Sequence, residues 1–144
     1  NNIHPAIDGA QFEFNMSTDG GSNYNVTKTT TVFRAYHIET DAFSGLQYRT
    51  DDDLAQSTSN QILCADVGAD NDQCGVGYLH LFNPSSNTFV KHFISNTNTL
   101  NADNINLHHN TAGYFNTTDD LTNIKFQMSS GNLDDGKILM FGLD

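Results

Sequence analysis

The chain has 144 residues, of which 37% are hydrophobic and 16% are charged; its 17 acidic and 6 basic side chains give a net charge of −11. An acidic surface repels nucleic-acid phosphates and anionic lipids, so we expect neither nucleic acid nor a membrane as a partner. No apolar run approaches the roughly 20 residues needed to span a bilayer. The length fits one domain, residues 1–144.

The first part of the chain alternates between apolar and polar side chains. Residues 10–16 follow a period of two and predict a strand with one buried face. A long turn of Gly, Ser and Asn comes next. Residues 29–38 are rich in β-branched and aromatic side chains, which favour a second strand.

The middle of the chain contains short apolar runs separated by turn residues. Its high Asn, Thr, Ser and Gly content is typical of an all-β protein with many turns. The ten Phe and five Tyr residues are more aromatic anchors than a disordered chain usually has. Strands are predicted at about residues 61–65, 76–82, 88–95, 105–109 and 113–115.

The last stretch contains two further predicted strands. Residues 123–128 alternate between apolar and polar side chains, as a half-exposed strand does. Residues 137–143, Lys-Ile-Leu-Met-Phe-Gly-Leu, are apolar on both faces, so we predict a central strand that is covered on both sides. The side chains expected in the core are Phe12, Phe14, Ile124, Phe126, Ile138, Met140 and Phe141.

These elements predict the fold class. About nine short strands with turn signals between them, and no sustained helical period, indicate an all-β fold. The most suitable architecture is an antiparallel two-sheet β-sandwich of jelly-roll type.

Four motifs also resemble a known family. They are Ser-Thr-Asp-Gly-Gly-Ser-Asn-Tyr at residues 17–24, Leu-Phe-Asn-Pro at 81–84, Ser-Ser-Gly-Asn at 129–132, and the terminal run at 136–143. In this order they resemble a β-sandwich domain of virion structural proteins from tailed bacteriophages, including marine and cyanobacterial phages. The resemblance begins at about residue 4 and covers nearly the whole chain.

The resemblance implies a function. Such domains are tail-fibre-like, head-decoration or knob proteins on the virion surface, and they have no catalytic or cofactor residues to carry over. It implies other virion proteins as partners, an assembly of identical subunits with a trimer favoured, and contact with host surface glycans. In such relatives a strand precedes the stretch at residues 4–9, so that strand is either missing here or supplied by a neighbouring subunit.

Two other functions remain open on the sequence alone. A soluble carbohydrate-binding module would contact glycans through exposed aromatic side chains, for which Tyr24, Tyr48 and Tyr114 are the candidates. An enzyme such as a depolymerase would need a nucleophile or paired acids. No G-x-S-x-G motif is present, and Glu13 and Glu39 are the only glutamates. We therefore predict a protein that is not an enzyme.

An acidic loop is the one candidate for a cofactor. Asp66, Asp70 and Asp72 lie in a segment that ends at Gly75, and the last part of it matches half of an EF-hand pattern. Calcium is the cation that such oxygen ligands would bind. Cys74 stands where a further oxygen ligand is expected, so the sequence favours a solvated acidic turn without a cofactor.

Six histidines raise the question of zinc. The side chains of neighbouring His108 and His109 must point to opposite faces of a strand. His80 and His92 lie on strands that are close in sequence, but a zinc site needs at least a third ligand. We therefore predict no zinc site.

Two cysteines flank the acidic loop. Cys64 ends one predicted strand and Cys74 precedes the next, so a hairpin could bring them within bonding distance. Two buried free thiols are the favoured alternative.

Overall fold

The computed structural model describes residues 1–143, which form ten β-strands and no helix. The strands are β1 His4–Pro5, β2 Ala10–Ser17, β3 Lys28–Ile38, β4 Ser44–Tyr48, β5 Gln61–Val67, β6 Gly75–Leu81, β7 Lys91–Leu100, β8 Ile105–Phe115, β9 Asn123–Met128 and β10 Leu133–Asp135. No helix in this range could cross a membrane.

The strands form three antiparallel sheets. One has the order β5-β2-β9, the second has the order β4-β3-β8-β7-β6, and the short strands β1 and β10 pair with each other. The three-stranded sheet packs on one face of the five-stranded sheet, with β5 against β7 and β8. The all-β prediction is confirmed, whereas the jelly-roll connectivity stays a prediction.

Phe14 is the centre of the core between the two large sheets. It is fully buried, and its ring meets the rings of Phe93 and Phe115 edge-on at centroid distances of 5.1 and 5.9 Å. Phe12 stacks on Phe126 at 5.6 Å. A buried Phe side chain stabilises a fold by about 1.5–3 kcal/mol, so this cluster provides much of the contact between the sheets.

Most predicted strands are present, with shifted ends. The predicted pair at 105–109 and 113–115 is one continuous strand, β8, because residues 110–112 continue its pairing with β3 and β7. A side chain at Gly113 would approach Thr30 Cγ2 to 2.5 Å and the Thr29 carbonyl oxygen to 2.6 Å. Glycine at this position therefore allows β3 and β8 to lie close together.

The prediction for residues 137–143 is wrong. This segment belongs to no strand, and Ile138, Met140 and Phe141 are 47%, 82% and 76% exposed. The β1–β10 ladder ends where Asn1 and Lys137 exchange backbone hydrogen bonds, and within the described range the residues that follow make no backbone hydrogen bonds. Without a neighbouring strand, their side chains stay in solvent.

The other core predictions hold in part. Phe12 and Phe14 are buried, as predicted. Ile124 and Phe126 are half-buried and pack against the edge of the core. Their strand, β9, is an edge strand of the three-stranded sheet, so one side of it faces solvent.

Cys64 and Cys74 are free thiols, but only Cys64 is buried, so the favoured alternative of two buried thiols holds in part. Cys64 is buried on β5, and burial raises the pKa of its thiol, because a thiolate is poorly solvated there. Cys74 lies just before β6 and is half-buried.

Two lysines are buried in this core. Lys28 and Lys91 are the in-register neighbours of Phe115 on either side, and both are fully buried. Lys28 Nζ lies 5.6 Å from the Phe115 ring centroid and donates a hydrogen bond to the Ser59 carbonyl oxygen. Burial lowers the pKa of Lys28 to about 8, because the ammonium loses its hydration.

We expect Lys28→Met to raise the free energy of unfolding at pH 7 by up to about 3 kcal/mol, the cost that a pKa fall from 10.5 to about 8 represents. In the parent protein the unfolded chain keeps its Lys28 proton between pH 8 and 10.5, whereas the folded chain has lost it. Stability should therefore rise with pH over this window, and the variant should lack that rise. Urea unfolding at several pH values measures it, with exposed Lys125→Met as the control. Equal pH dependence in Lys28→Met and the parent would contradict the expectation.

Candidate functional site

The outward face of the five-stranded sheet carries no charged side chain. Strand alternation turns every second residue of these strands away from the three-stranded sheet, and most of the outward residues are exposed. We call this surface the neutral face; it consists of Thr29, Thr31, Phe33, Ala35, His37, Ser44, Leu46, Tyr48, Val76, Tyr78, His80, His92, Ile94, Asn96, Asn98, Asn106, His108, Asn110, Ala112 and Tyr114. None of these is Asp, Glu, Lys or Arg, in a chain with 17 acidic and 6 basic residues.

Large apolar and aromatic side chains lie at both edges of the neutral face. Leu46 and Tyr48 on β4 are 71% and 52% exposed. At the opposite edge, Tyr78 on β6 and Ile94 on β7 are 53% and 48% exposed. Exposed apolar patches combined with a lack of charge are typical of surfaces that bind a partner.

Amide and imidazole side chains occupy the centre of the neutral face. Asn96 Nδ2 donates to Asn110 Oδ1 at 2.6 Å, and Asn96 Oδ1 lies 3.0 Å from His108 Nε2. Asn98 Nδ2 donates to Asn106 Oδ1 at 2.6 Å. These bonds hold the amides in fixed positions, which prepares their remaining donors and acceptors for a ligand.

A shallow depression of about 440 Å³ crosses one end of the neutral face. Its lining includes Thr31, Ala112 and Ile94 from one row of paired residues, and Tyr114 and His92 from the next row. A second depression of about 290 Å³ lies around Phe82, Phe89 and Val90 and shares His92 with the first. Together they form an open groove.

A buried polar cluster lies beneath the same sheet, on its inner side. His109 and the carboxylate of Asp52 are 2% and 4% exposed, with Nε2 and Oδ2 3.4 Å apart. Arg49 Nε donates to the same carboxylate oxygen at 3.0 Å. Burial raises the pKa of Asp52, but hydrogen bonds from His109 and Arg49 outweigh it and hold that pKa below its ordinary value.

The buried cluster extends to a second arginine. With its amide oxygen turned toward them, Gln47 accepts hydrogen bonds from Arg34 and Arg49 at 3.1 and 3.2 Å. Burial lowers the pKa of Arg34, whose Nη1 lies 3.7 Å from Asp66. Arg34 Nε and Nη1 have no hydrogen-bond partner in residues 1–143. A histidine and a carboxylate this deeply buried cannot touch a substrate, so we assign the cluster a structural role.

The three aromatic candidates for glycan contact do not lie together. Tyr48 and Tyr114 are on the neutral face, where Tyr114 helps to line the larger depression. Tyr48 donates a hydrogen bond to Asp53 at the rim, which raises the pKa of its phenol. Tyr24 lies elsewhere, with Lys125 Nζ 5.6 Å from its ring centroid.

The acidic loop does not assemble as a metal site. Asp66 is half-buried beside Arg34, whereas Asp70 and Asp72 are exposed in the turn before β6. Among residues 1–143, no group of three or more His, Cys, Asp or Glu side chains could hold a metal ion. Calcium binding at these three aspartates therefore gains no support from their placement.

The histidines lie as strand geometry requires. His108 points outward on the neutral face and His109 points inward, as predicted from their adjacency. His80 stacks near Tyr78 at 4.9 Å, and His92 lies 6.0 Å from the Tyr114 ring. His92 lines both depressions of the groove, whereas His80 lies beside them on the same face.

Sequence reasoning missed most of the neutral face. Phe33, Ile94 and the asparagines on β7 and β8 were not singled out, because each is unremarkable alone. The signal was present in the strand pattern, where outward positions of successive strands lack charge. It becomes visible only when strand neighbours are known.

Comparisons with protein-family models, curated proteins and solved structures found no match for this chain.

We expect Asp52→Asn to lower the free energy of unfolding at pH 7 by about 3 kcal/mol, because it removes one partner of a buried charge network. Since the folded pKa of Asp52 is depressed, its stabilising effect is present above the unfolded pKa near 3.8 and is lost as pH falls through the lower folded pKa. Thermal unfolding between pH 2 and 7 measures both effects. Asp51→Asn, at an exposed neighbouring position, is the control, and equal losses in the two variants would contradict the assignment.

Proposed function

We propose that the protein is a non-enzymatic structural domain on the virion surface of a tailed phage, where identical subunits assemble and leave the neutral face available for recognition. The sequence resemblance supports the virion setting. The observation that carries the assembly is the exposed apolar segment 137–143. Covering this apolar segment removes its side chains from water, which favours binding of the domain to another chain.

Backbone hydrogen bonds already hold the start of segment 137–143 in position to pair with another strand. Asn1 N donates to the Lys137 carbonyl oxygen at 2.8 Å, and Lys137 N donates to the Asn1 carbonyl oxygen at 2.9 Å. These bonds hold the start of the segment in the extended form of an antiparallel ladder. Beyond them, backbone donors and acceptors are free to accept a strand, which is the usual basis of β-strand addition.

The chain also offers a place for such a strand. β9 is an edge of the three-stranded sheet, and its Ile124 and Phe126 are only half-buried. On the facing sheet, Leu79 and Leu81 of edge strand β6 are half-buried in the same core. A seven-residue apolar segment from a second copy would extend the smaller sheet and cover these four side chains.

Charge favours these surfaces for contact between copies. Two subunits of charge −11 repel each other, so close contact is least costly where neither presents a carboxylate. Within 137–143 the only charged side chain is Lys137. If each subunit passes its segment to the next subunit around a rotation axis, the ring closes and no strand edge is left unpaired. A trimer is the predicted ring.

We expect light scattering to give about three times the 15.9 kDa subunit mass, and we expect Phe141→Asp to give the monomer. Phe141 is 76% exposed, so the substitution leaves the subunit folded while placing a charge in the proposed contact.

The matched control is Leu46→Asp, which is 71% exposed on the neutral face. It should leave the mass unchanged. A monomeric parent protein would refute the assembly, and dissociation by Leu46→Asp instead of Phe141→Asp would move the subunit contact to the neutral face.

A second candidate function is carbohydrate binding by a soluble module, which the composition of the neutral face favours. Exposed aromatic rings beside fixed amides and without charge suit uncharged, hydroxyl-rich ligands. Carbohydrate binding is compatible with display on a particle, because segment 137–143 contributes no residue to the neutral face.

A further inference from the structure

We infer that the groove on the neutral face is a binding site for neutral oligosaccharides, with the depression above Ala112 as its main subsite. This inference rests on the recognition role of the neutral face in the proposed function and is independent of the assembly through segment 137–143.

The shape of the groove follows from three rows of paired side chains. Strand register places Thr31, Ala112 and Ile94 side by side across β3, β8 and β7. The Ala112 side chain is small, so the surface of the sheet is recessed at the middle of this row. The row before it contains Tyr114 and His92, which form one wall of the depression.

The following row continues the face beside the depression, without lining it. There, register aligns Phe33 on β3 with Asn110 on β8 and Asn96 on β7. The depression itself has a volume of about 440 Å³. It is open to solvent, so a residue inside a longer chain can enter it.

The side chains at the walls match the two kinds of surface on a sugar ring. An aromatic ring carries a negative face, which attracts the weakly positive C–H groups on one side of a pyranose. Tyr114 lines the depression and is partly exposed, and Phe33, in the row beside the depression, is 48% exposed.

Polar groups stand where the sugar hydroxyls would be. Asn110 accepts from Asn96 through Oδ1, which leaves its own amide Nδ2 as a donor without a partner in the described chain. The Tyr114 hydroxyl receives only a long 3.4 Å hydrogen bond from Gln56. Donors and acceptors of this kind give orientation in a site whose floor is apolar.

The uncharged neutral face and the negative net charge of the protein favour neutral sugars over anionic ones. Arg and Lys are the side chains that most favour a carboxylate or sulfate group, and the neutral face has neither. The net charge of −11 also repels anionic ligands. Uncharged hexose units are therefore the chemistry that fits.

The second depression extends the site. Phe82 and Phe89 line it, and His92 borders both depressions. Phe89 is 70% exposed, which offers another ring for stacking. The structure thus provides two adjoining subsites, so oligosaccharides should bind more tightly than single sugars.

The test is binding of the intact protein to an immobilised panel of neutral oligosaccharides and their sialylated and sulfated counterparts. We expect binding to neutral members alone, and affinity that increases from mono- to tri- or tetrasaccharides. Tyr114→Ala should weaken binding about tenfold, which corresponds to about 1.4 kcal/mol. Ala112→Gln should weaken it similarly by filling the depression while every existing contact remains.

Tyr24→Ala is the matched control, because it removes an aromatic ring from a different surface. It should leave the affinity within about twofold, and circular dichroism should show all variants folded. Failure of every neutral oligosaccharide to bind, a preference for anionic members, or undiminished binding by Ala112→Gln would overturn the inference.

Light scattering on the same samples separates the two proposals. Ala112→Gln should bind sugar about tenfold more weakly and keep its oligomeric mass, whereas Phe141→Asp should fall to the monomer mass and keep sugar binding at each subunit. If the mass behaves as expected and no sugar binds, the assembly stands and the carbohydrate site is wrong. A fall in mass with Ala112→Gln would show the neutral face to be a protein contact and would also refute the site.

Discussion

The pairing of β8 with β3 on one side and β7 on the other is the constraint on which the rest depends. Because side chains along a strand alternate between faces, this register decides at once which residues are inside and which outside. A shift by one residue would move Phe115 and His109 into solvent and bury Tyr114 and His108. The close approach at Gly113 helps to fix the register, since a side chain there would collide with β3.

The same register places different kinds of side chain on the two faces of the sheet. Its inner face carries Phe93 and Phe115 at one end and the Asp52–His109–Arg49 network at the other, so the apolar core and the buried charges are separate. Buried polar groups with fixed partners favour one arrangement of strands over its alternatives, because any other leaves charges unpaired. The side chains of the outer face are therefore not needed to hold the core together, and they can contact a ligand.

The sequence predicted strands and buried residues correctly wherever the pattern of neighbouring residues alone determines them. Alternation alone located β2 and β9, and it placed Phe12 and Phe14 correctly inside. It failed for residues 137–143, because an apolar pattern indicates that a segment needs cover without indicating which chain supplies it. It also divided β8 at residues 110–112, because a short polar stretch looks the same in one dimension whether it is a turn or part of a strand paired on both sides. The neutral face depends on five strands being neighbours, which no single stretch records, so Tyr48 and Tyr114 were found only as isolated aromatics.

The burial of Lys28 and Lys91 has a consequence for the ionic atmosphere around the protein. Two of its six basic residues lie inside the core, so at most four remain to offset the fifteen acidic residues of the described chain other than buried Asp52. The outer layer is thus more acidic than the composition suggests, and dissolved cations must gather around it. Added salt screens such repulsion over about 10 Å at 0.1 M. Association of subunits should therefore strengthen as ionic strength rises, which is opposite to the behaviour of partners that attract each other by charge.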